Sequence, residues 1–410
     1  MKKLKDAWDL LTRVLFCEKT NLIYDSVCSR DPERRFDHLP WPEEIAQNLP
    51  NPCGWGTGME DSMLNAGPAL DAALLRAEAE PESREEALSF ARKLVSGMEL
   101  CTTVHGVSGY VARSVSPRDG RSCYINSSRD QFTFYTYGLW RFYHSAFADE
   151  NDRTRIRTLL RRTADYCEYA LTREGGRDLL RLDGRRGIVT GVIGAMCHEE
   201  YRLPMFFLAA YDCGGGEKYL KRYESLADHA LDVTETLSES QNLWWQIALS
   251  QLQASLTVGA KADPDPARNA RIRKSWRLAA ELAERHFRDA ESAMLTFRGA
   301  WDKLAVPWTR AWKMSIVPGT LREDGPSLYE GKFYLKPWED PEFLEALERM
   351  RALGNLAFAA AVCEDRAPAP DFPGRCEAAA DVPDYAGHAT ASVCNILLGH
   401  YHAAKWKKTP

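Results

Sequence analysis

Two hydrophobic patterns alternate along the chain. In the first, apolar residues recur every three or four positions with charges between them, as on a helix with one dry face. REEALSFARKLVSGMEL aligns Ala87, Leu88, Ala91, Leu94, Val95 and Met98 on one side. NDRTRIRTLLRRTADYCEYALTREGG does so with Ile156, Leu159, Leu160, Cys167 and Leu171, then stops at a Gly pair, a common helix terminator. KYLKRYESLADHALDVTETL, ARIRKSWRLAAELAERHF and PEFLEALERMRALGNLAFAAAV repeat it. So does the N-terminus, through Leu4, Ala7, Trp8, Leu11, Val14 and Leu15. These segments predict outer helices with one wet side.

The second pattern has no continuous charged face. It covers roughly 60–79, 129–148, 203–213, 241–257 and 388–405. Between Phe132 and Tyr143 the only charge is Arg141. A helix that is apolar all round is buried. With the N-terminal helix and a stretch around Trp301 to Val317, the alternation yields about six pairs. An all-α chain with this rhythm fits a closed ring of helical hairpins, an (α/α)6 barrel. An open helical solenoid alternates in the same way, and we favour the ring. Two connections carry β-hairpin patterns: 109–127, turning at Pro117–Gly120, and 177–189, turning at Asp183-Gly184,. The Pro- and Gly-rich stretches 318–340 and 364–387 are expected to be loops. Nothing marks a domain boundary, so 1–410 reads as one domain.

Composition narrows the classes. Apolar residues make up 45% and the formal net charge is -5, which leaves no basic footprint for nucleic acid or an anionic membrane. No apolar run approaches the roughly 20 residues of a membrane span. Asp6, Asp9 and Arg13 interrupt what would be the apolar core of a secretion signal,, so a cytoplasmic location is expected. Eleven cysteines without a CxxC fit reduced thiols rather than a disulfide framework or a zinc cage. No other Cys or His stands at ligand spacing from His198, so no metal or cofactor is expected.

Chemistry collects where the buried helices begin. The first start holds Trp55, Glu60 and Asp61, and the second Arg129 and Asp130. The third follows His198, Glu199, Glu200, Tyr201 and Arg202, with Pro204 suited to a first helical turn,. The fourth has Gln241, Trp244 and Trp245; the fifth Trp301, Trp308, Arg310 and Trp312; the last Tyr385 and His388. Each has a plainer reading: acidic residues complement helix N-termini, Arg129 serves an ion pair, and paired tryptophans fill cores. Together they suit carbohydrate, whose C–H faces stack on aromatic rings while hydroxyls bond polar side chains. Paired carboxylates suit glycosidic chemistry, one protonated and one ionised.

On these features the chain resembles the six-hairpin glycosidases, the (α/α)6-barrel superfamily. Within it the likeness is to unsaturated glucuronyl and rhamnogalacturonyl hydrolases and related uronic-acid-releasing enzymes. The local motifs are Asp61 in GMEDSMLNAG and Asp130 in SSRDQFTFYTYGLW. Asp130-Gln131 departs from the dipeptide expected there. The resemblance implies a glycoside hydrolase acting on an oligosaccharide, with a terminal uronic acid as one substrate. It makes Asp130 the proton donor and Asp61 the partner that orients substrate or stabilises charge. Arg113, Arg129 or Arg202 would bind a sugar carboxylate, and Trp55, Trp244 and Trp308 would stack on sugar rings. Three alternatives stand beside this reading: a polysaccharide lyase using His198, Tyr201 and Arg202; an epimerase using His198 and His388; and a non-catalytic sugar-binding protein.

Overall fold

The computed structural model describes residues 2–173, 176–238, 246–299, 301–305, 314–315, 334–335 and 341–408. Helix makes up 62% of the described residues and strand 5%, so the described part of the protein is predominantly helical. The described α-helices are α1 (Lys2–Asp9), α2 (Pro42–Ala46), α3 (Ser62–Ala79), α4 (Arg84–Thr103), α5 (Arg129–Tyr143), α6 (Glu150–Leu171) and α7 (Arg202–Ala210). They continue with α8 (Glu217–Thr234), α9 (Gln246–Ala262), α10 (Pro266–Thr296), α11 (Pro341–Ala361), α12 (Phe372–Ala380) and α13 (Val393–Lys405). Among the described residues, three two-stranded antiparallel pieces lie in the connections: β1 (Phe16–Cys17) with β2 (Leu22–Ile23), β3 (Asp178–Leu180) with β4 (Arg186–Gly191), and β5 (Met314–Ser315) with β6 (Tyr334–Leu335). No described helix is long and apolar enough to cross a membrane.

The two hydrophobic patterns correspond to two environments. Helices α4, α6, α8 and α10 bury one stripe each and carry their charges outward. They start on local signals. Asp149 accepts from the Asp152 amide to cap α6, and Asp265 accepts from the Arg268 amide ahead of Pro266 at the start of α10,. Helices α3, α5 and α7 are buried almost all round, and α9 is buried from Ala248 to Ala260. Helix α3 packs against α4, α5 and α13; α7 lies against α8 and α9; α11 lies against α9, α10 and α13.

Two of these contacts are closer than side chains allow. A Cβ on Gly67 of α3 would lie 2.0 Å from the Phe134 carbonyl oxygen of α5, and one on Gly138 would lie 2.7 Å from Gly67 Cα. Helices α11 and α13 meet in the same way. There a Cβ on Gly354 would be 2.3 Å from the Asn395 carbonyl carbon, and one on Gly399 would be 2.6 Å from the Gly354 oxygen.

Several expectations need correction. Residues 341–362 are not simply an outer helix. Their charges sit in the first half of α11, and the uncharged run from Ala352 to Val362 is buried on every side. The stretch 364–387 contains α12, entered through Pro373 in its first turn,. The 109–127 segment closes its turn, with the Ser116 amide donating to Ser122 O (2.8 Å) and Gly120 to Ser116 O (2.9 Å). It forms no strands, because its backbone bonds to other segments: Met63 N donates to Arg113 O, Asn126 N to Pro52 O and Ala112 N to Cys101 O. The Asp183-Gly184 hairpin does form, as β3–β4. Residues 388–390 precede α13 as bridged chain, with Thr390 paired to Ser26 and His388 to Ala305, and Ala391-Ser392 turn into the helix. Gln241, Trp244, Trp245, Trp308, Arg310, Trp312 and most of 318–340 lie outside the described residues.

Candidate functional site

The starts of α3 and α5 bring two groups of charges together. Asp61 is the N-cap residue of α3, yet its side chain bonds no amide of its own helix. It faces sideways instead. Its Oδ1 accepts from Gln131 Nε2 at 2.9 Å and pairs with Arg113 Nη1 at 3.5 Å. Glu60 is buried and accepts from the Gly56 amide at 2.9 Å. Arg113 is buried as well; it donates to the Glu60 carbonyl at 2.9 Å and lies 5.5 Å from the Trp55 ring, within cation–π range.

Behind this pair stands a third carboxylate, Asp25. Its Oδ2 accepts from the amides of Glu60 (2.8 Å) and Asp61 (3.2 Å), and its Oδ1 from Asn65 Nδ2 (3.2 Å). Its own amide donates to Gly58 O, and its carbonyl accepts from Ala391 N at 2.9 Å. Asp25 thus ties the 56–61 loop to the chain leading into α13.

The second group joins α5 to α7. Arg202 is fully buried and donates Nη1 to Asp130 at 2.5 Å. Arg129 pairs with Glu199 and donates to Gly191 O at 3.3 Å. His198 lies 3.7 Å from Glu199, and among the described residues its buried Nδ1 has no hydrogen-bond partner. The same holds, among the described residues, for the buried Arg202 Nε and Nη2, Arg129 Nε and Arg113 Nε.

These surroundings push the carboxyls in opposite directions. Burial raises Asp61, and although Arg113 and Arg351 pull against it, the balance stays above the ordinary aspartate range. Burial and the neighbouring Asp61 lift Glu60 to about 7. Burial, Asp61 and Glu60 lift Asp25 well above its usual value. Burial acts on Asp130 too, but Arg202 and Arg129 outweigh it and hold that carboxyl below its usual value. His198 is lowered, mainly by burial. Asp61 also feels the negative charge of Asp130. It is the more open of the two, with 23% of its side chain exposed against 10% for Asp130.

The structure therefore brings together Trp55, Glu60, Asp61, Arg113, Arg129, Asp130, His198, Glu199 and Arg202. Three other candidates turn elsewhere. Tyr201 points away from Arg202: its hydroxyl meets that of Tyr223 at 2.8 Å, which in turn donates to Asp263 at 2.6 Å. Glu200 accepts from the Gly194 and Ala195 amides at 3.1 and 2.6 Å, holding the loop before α7. His388 is buried against Thr390 at 2.7 Å, and burial drives it down to about 3. It sits beside the Asp25 segment, but among the described residues its ring bonds Thr390 and Ser392 rather than the carboxylates. Trp244 and Trp308 lie outside the described residues.

Three participants escaped sequence reasoning. Asp25 follows a two-residue strand and sits in no motif. Arg351 lies on α11, where it feels Asp61, Glu60 and Asp25, but its segment reads as a solvated face. Gln131 was visible only as an unexpected neighbour of Asp130. Among the described residues, no group of three or more His, Cys, Asp or Glu side chains is placed to hold a metal.

No protein-family model matches the sequence, and no curated protein matches it.

Proposed function

We propose that this protein is a glycoside hydrolase of the (α/α)6 type that acts on an oligosaccharide, with a terminal uronic acid as the favoured end. The order of helix neighbours supports the ring: α3 meets α5, α5 meets α7, α7 meets α9, α9 meets α11, α11 meets α13, and α13 meets α3 again. The helices between them in sequence each touch a member of this circuit, α4 touching α3, α8 touching α7, and α10 touching α9 and α11, as the outer helices of such a ring would.

One observation carries the chemical reading. Two neighbouring carboxyls are driven apart, Asp61 upward and Asp130 downward. Such divergence separates the acid from the ionised partner in carboxylate catalysis. The resemblance gives the proton to Asp130; the Arg202 ion pair favours the reverse. In this reading Asp61 delivers the proton to the leaving oxygen, and ionised Asp130 orients water or stabilises the positive charge that develops on the sugar. With an unsaturated uronic acid, the same proton would go to the ring double bond and water would add to the other carbon. Arg129, Arg202 and Arg113 supply cationic surroundings for a sugar carboxylate, and Trp55 an aromatic face. A lyase using Tyr201 is less well supported, since that hydroxyl is engaged with Tyr223.

The test is hydrolysis of uronic-acid-capped, unsaturated and neutral oligosaccharides by the wild type, Asp61→Asn and Asp130→Asn. Each variant is expected to lose at least about 100-fold in kcat, with capped or unsaturated substrates preferred. Wild-type rates in both variants would overturn the reading.

A further inference from the structure

Gln131 makes an arrangement that its place in α5 does not require. Its side chain is fully buried. Oε1 accepts from the Leu64 amide at 2.8 Å, while Nε2 donates to Glu60 O at 3.1 Å and to Asp61 Oδ1 at 2.9 Å. The orientation of this amide is fixed by its partners. Turned over, it would set its NH2 against the Leu64 N–H and its oxygen against two other oxygens.

We propose that Gln131 is the positioning residue of the Asp61 carboxyl: it holds Oδ1 as an acceptor and leaves Oδ2 as the oxygen that carries and delivers the proton. The proposal rests on the reading of Asp61 as the donor. Oδ1 faces two donors, Gln131 Nε2 and, at 3.5 Å, Arg113 Nη1. Neither can give up its role: an amide N–H does not ionise in this range, and a guanidinium offers only N–H groups. A proton on Oδ1 would point into them. From the other side, Asp25 holds the Asp61 amide. Backbone and side chain are thereby fixed independently, which is the precision that proton delivery to one substrate atom requires.

The test follows the Asp61 carboxyl by 13C NMR titration in the wild type, Gln131→Met and Gln131→Glu. A hydrogen bond to the ionised form lowers a carboxyl, so its loss in Gln131→Met should raise the Asp61 midpoint. Gln131→Glu, which places a second carboxyl against it, should raise the midpoint further. In Gln131→Met, kcat should fall on the order of tenfold or more with KM unchanged. A residue with a merely structural role would change unfolding without moving the midpoint. Equal Asp61 midpoints in all three proteins would overturn the proposal. Should the variants fail to fold, the wild-type Gln131 side-chain amide resonances decide the matter: they should step at the Asp61 midpoint, and a flat response overturns the proposal. These titrations need no substrate, so they stand or fall separately from the hydrolysis assays.

Discussion

Arg202 of α7 donates to Asp130 of α5 at 2.5 Å, and the guanidinium is fully buried. The pair fastens the starts of two buried helices and keeps Asp130 ionised. Removing one partner of such a pair leaves a buried charge uncompensated, a loss of about 3–5 kcal/mol. Arg202→Met should show that loss in urea unfolding at pH 7. The sign with pH follows from the lowered Asp130: its contribution is complete above the ordinary aspartate value near 4 and fades as pH falls through the folded value,. The gap between wild type and variant should narrow in acid. The double variant Asp130→Asn/Arg202→Met should be more stable than Arg202→Met alone. If it is less stable, the pair is not the source of the effect.

Glu60 predicts the opposite pH trend. Its folded carboxyl stands at about 7, raised chiefly by burial. The unfolded chain releases this proton near the ordinary glutamate value of about 4.3. Between the two values the unfolded state binds fewer protons, so rising pH costs stability until about 7 and nothing further above it. Glu60→Gln carries no such loss. It should exceed the wild type by roughly 1–3 kcal/mol at pH 8, with the difference closing toward pH 4.5. A difference that stays constant across that range would show that Glu60 is ionised throughout.

How much of this was legible depends on where each signal sits. The run from Phe132 to Tyr143 has one charge and forms a buried helix, as its pattern predicts. The α11 segment misleads because Glu342, Glu345 and Glu348 crowd its first half, while Gly354 to Ala361, without a charge, forms the buried part. Tyr201 and Arg202 are adjacent in sequence but point to different neighbours, α8 and α5, so adjacency says nothing about sharing a site. Glu60, Asp61 and Asp130 were visible because they open helices that look buried. Asp25 was invisible because its importance comes from the amides it receives from a loop more than thirty residues away. Which of Asp61 and Asp130 holds the proton depends on the arginine each one meets, and those contacts are tertiary.

A buried carboxylate away from the site, Asp71, also predicts stability. Asp71 of α3 is fully buried and accepts from Tyr137 Oη (2.7 Å) and Arg141 Nε (2.9 Å) of α5 and from His402 Nε2 (2.7 Å) of α13. Burial opposes its charge, but Arg141 and His402 hold it far below the usual range. Asp71→Asn should cost about 3–5 kcal/mol at pH 7, because Arg141 loses its counter-charge. Tyr137→Phe should cost less, about 1.5–3 kcal/mol, the loss of one hydrogen bond to a charged group. Urea unfolding of the two variants measures the difference. Equal costs would mean that packing, not the charge, holds the three helices here.

The glycine contact between α3 and α5 makes the last prediction, and it links the fold to the site. The same substitution should have opposite signs at two helical glycines. At Gly138 a Cβ would stand 2.7 Å from Gly67 Cα, so Gly138→Ala must push α5 away from α3. Overpacking of this kind costs about 1–3 kcal/mol, more than the roughly 1 kcal/mol that alanine gains in helix propensity. At Gly374 of α12 a Cβ meets nothing within 4 Å, so Gly374→Ala should stabilise by up to about 1 kcal/mol. Displacing α5 from α3 also strains the bonds from Gln131 to Asp61 and Leu64. Gly138→Ala should therefore lower kcat as well as stability, while Gly374→Ala leaves kcat unchanged. Thermal unfolding and steady-state rates on one substrate check both. A Gly138→Ala protein as stable and active as the wild type would show that the helices have room to separate without disturbing the carboxylates.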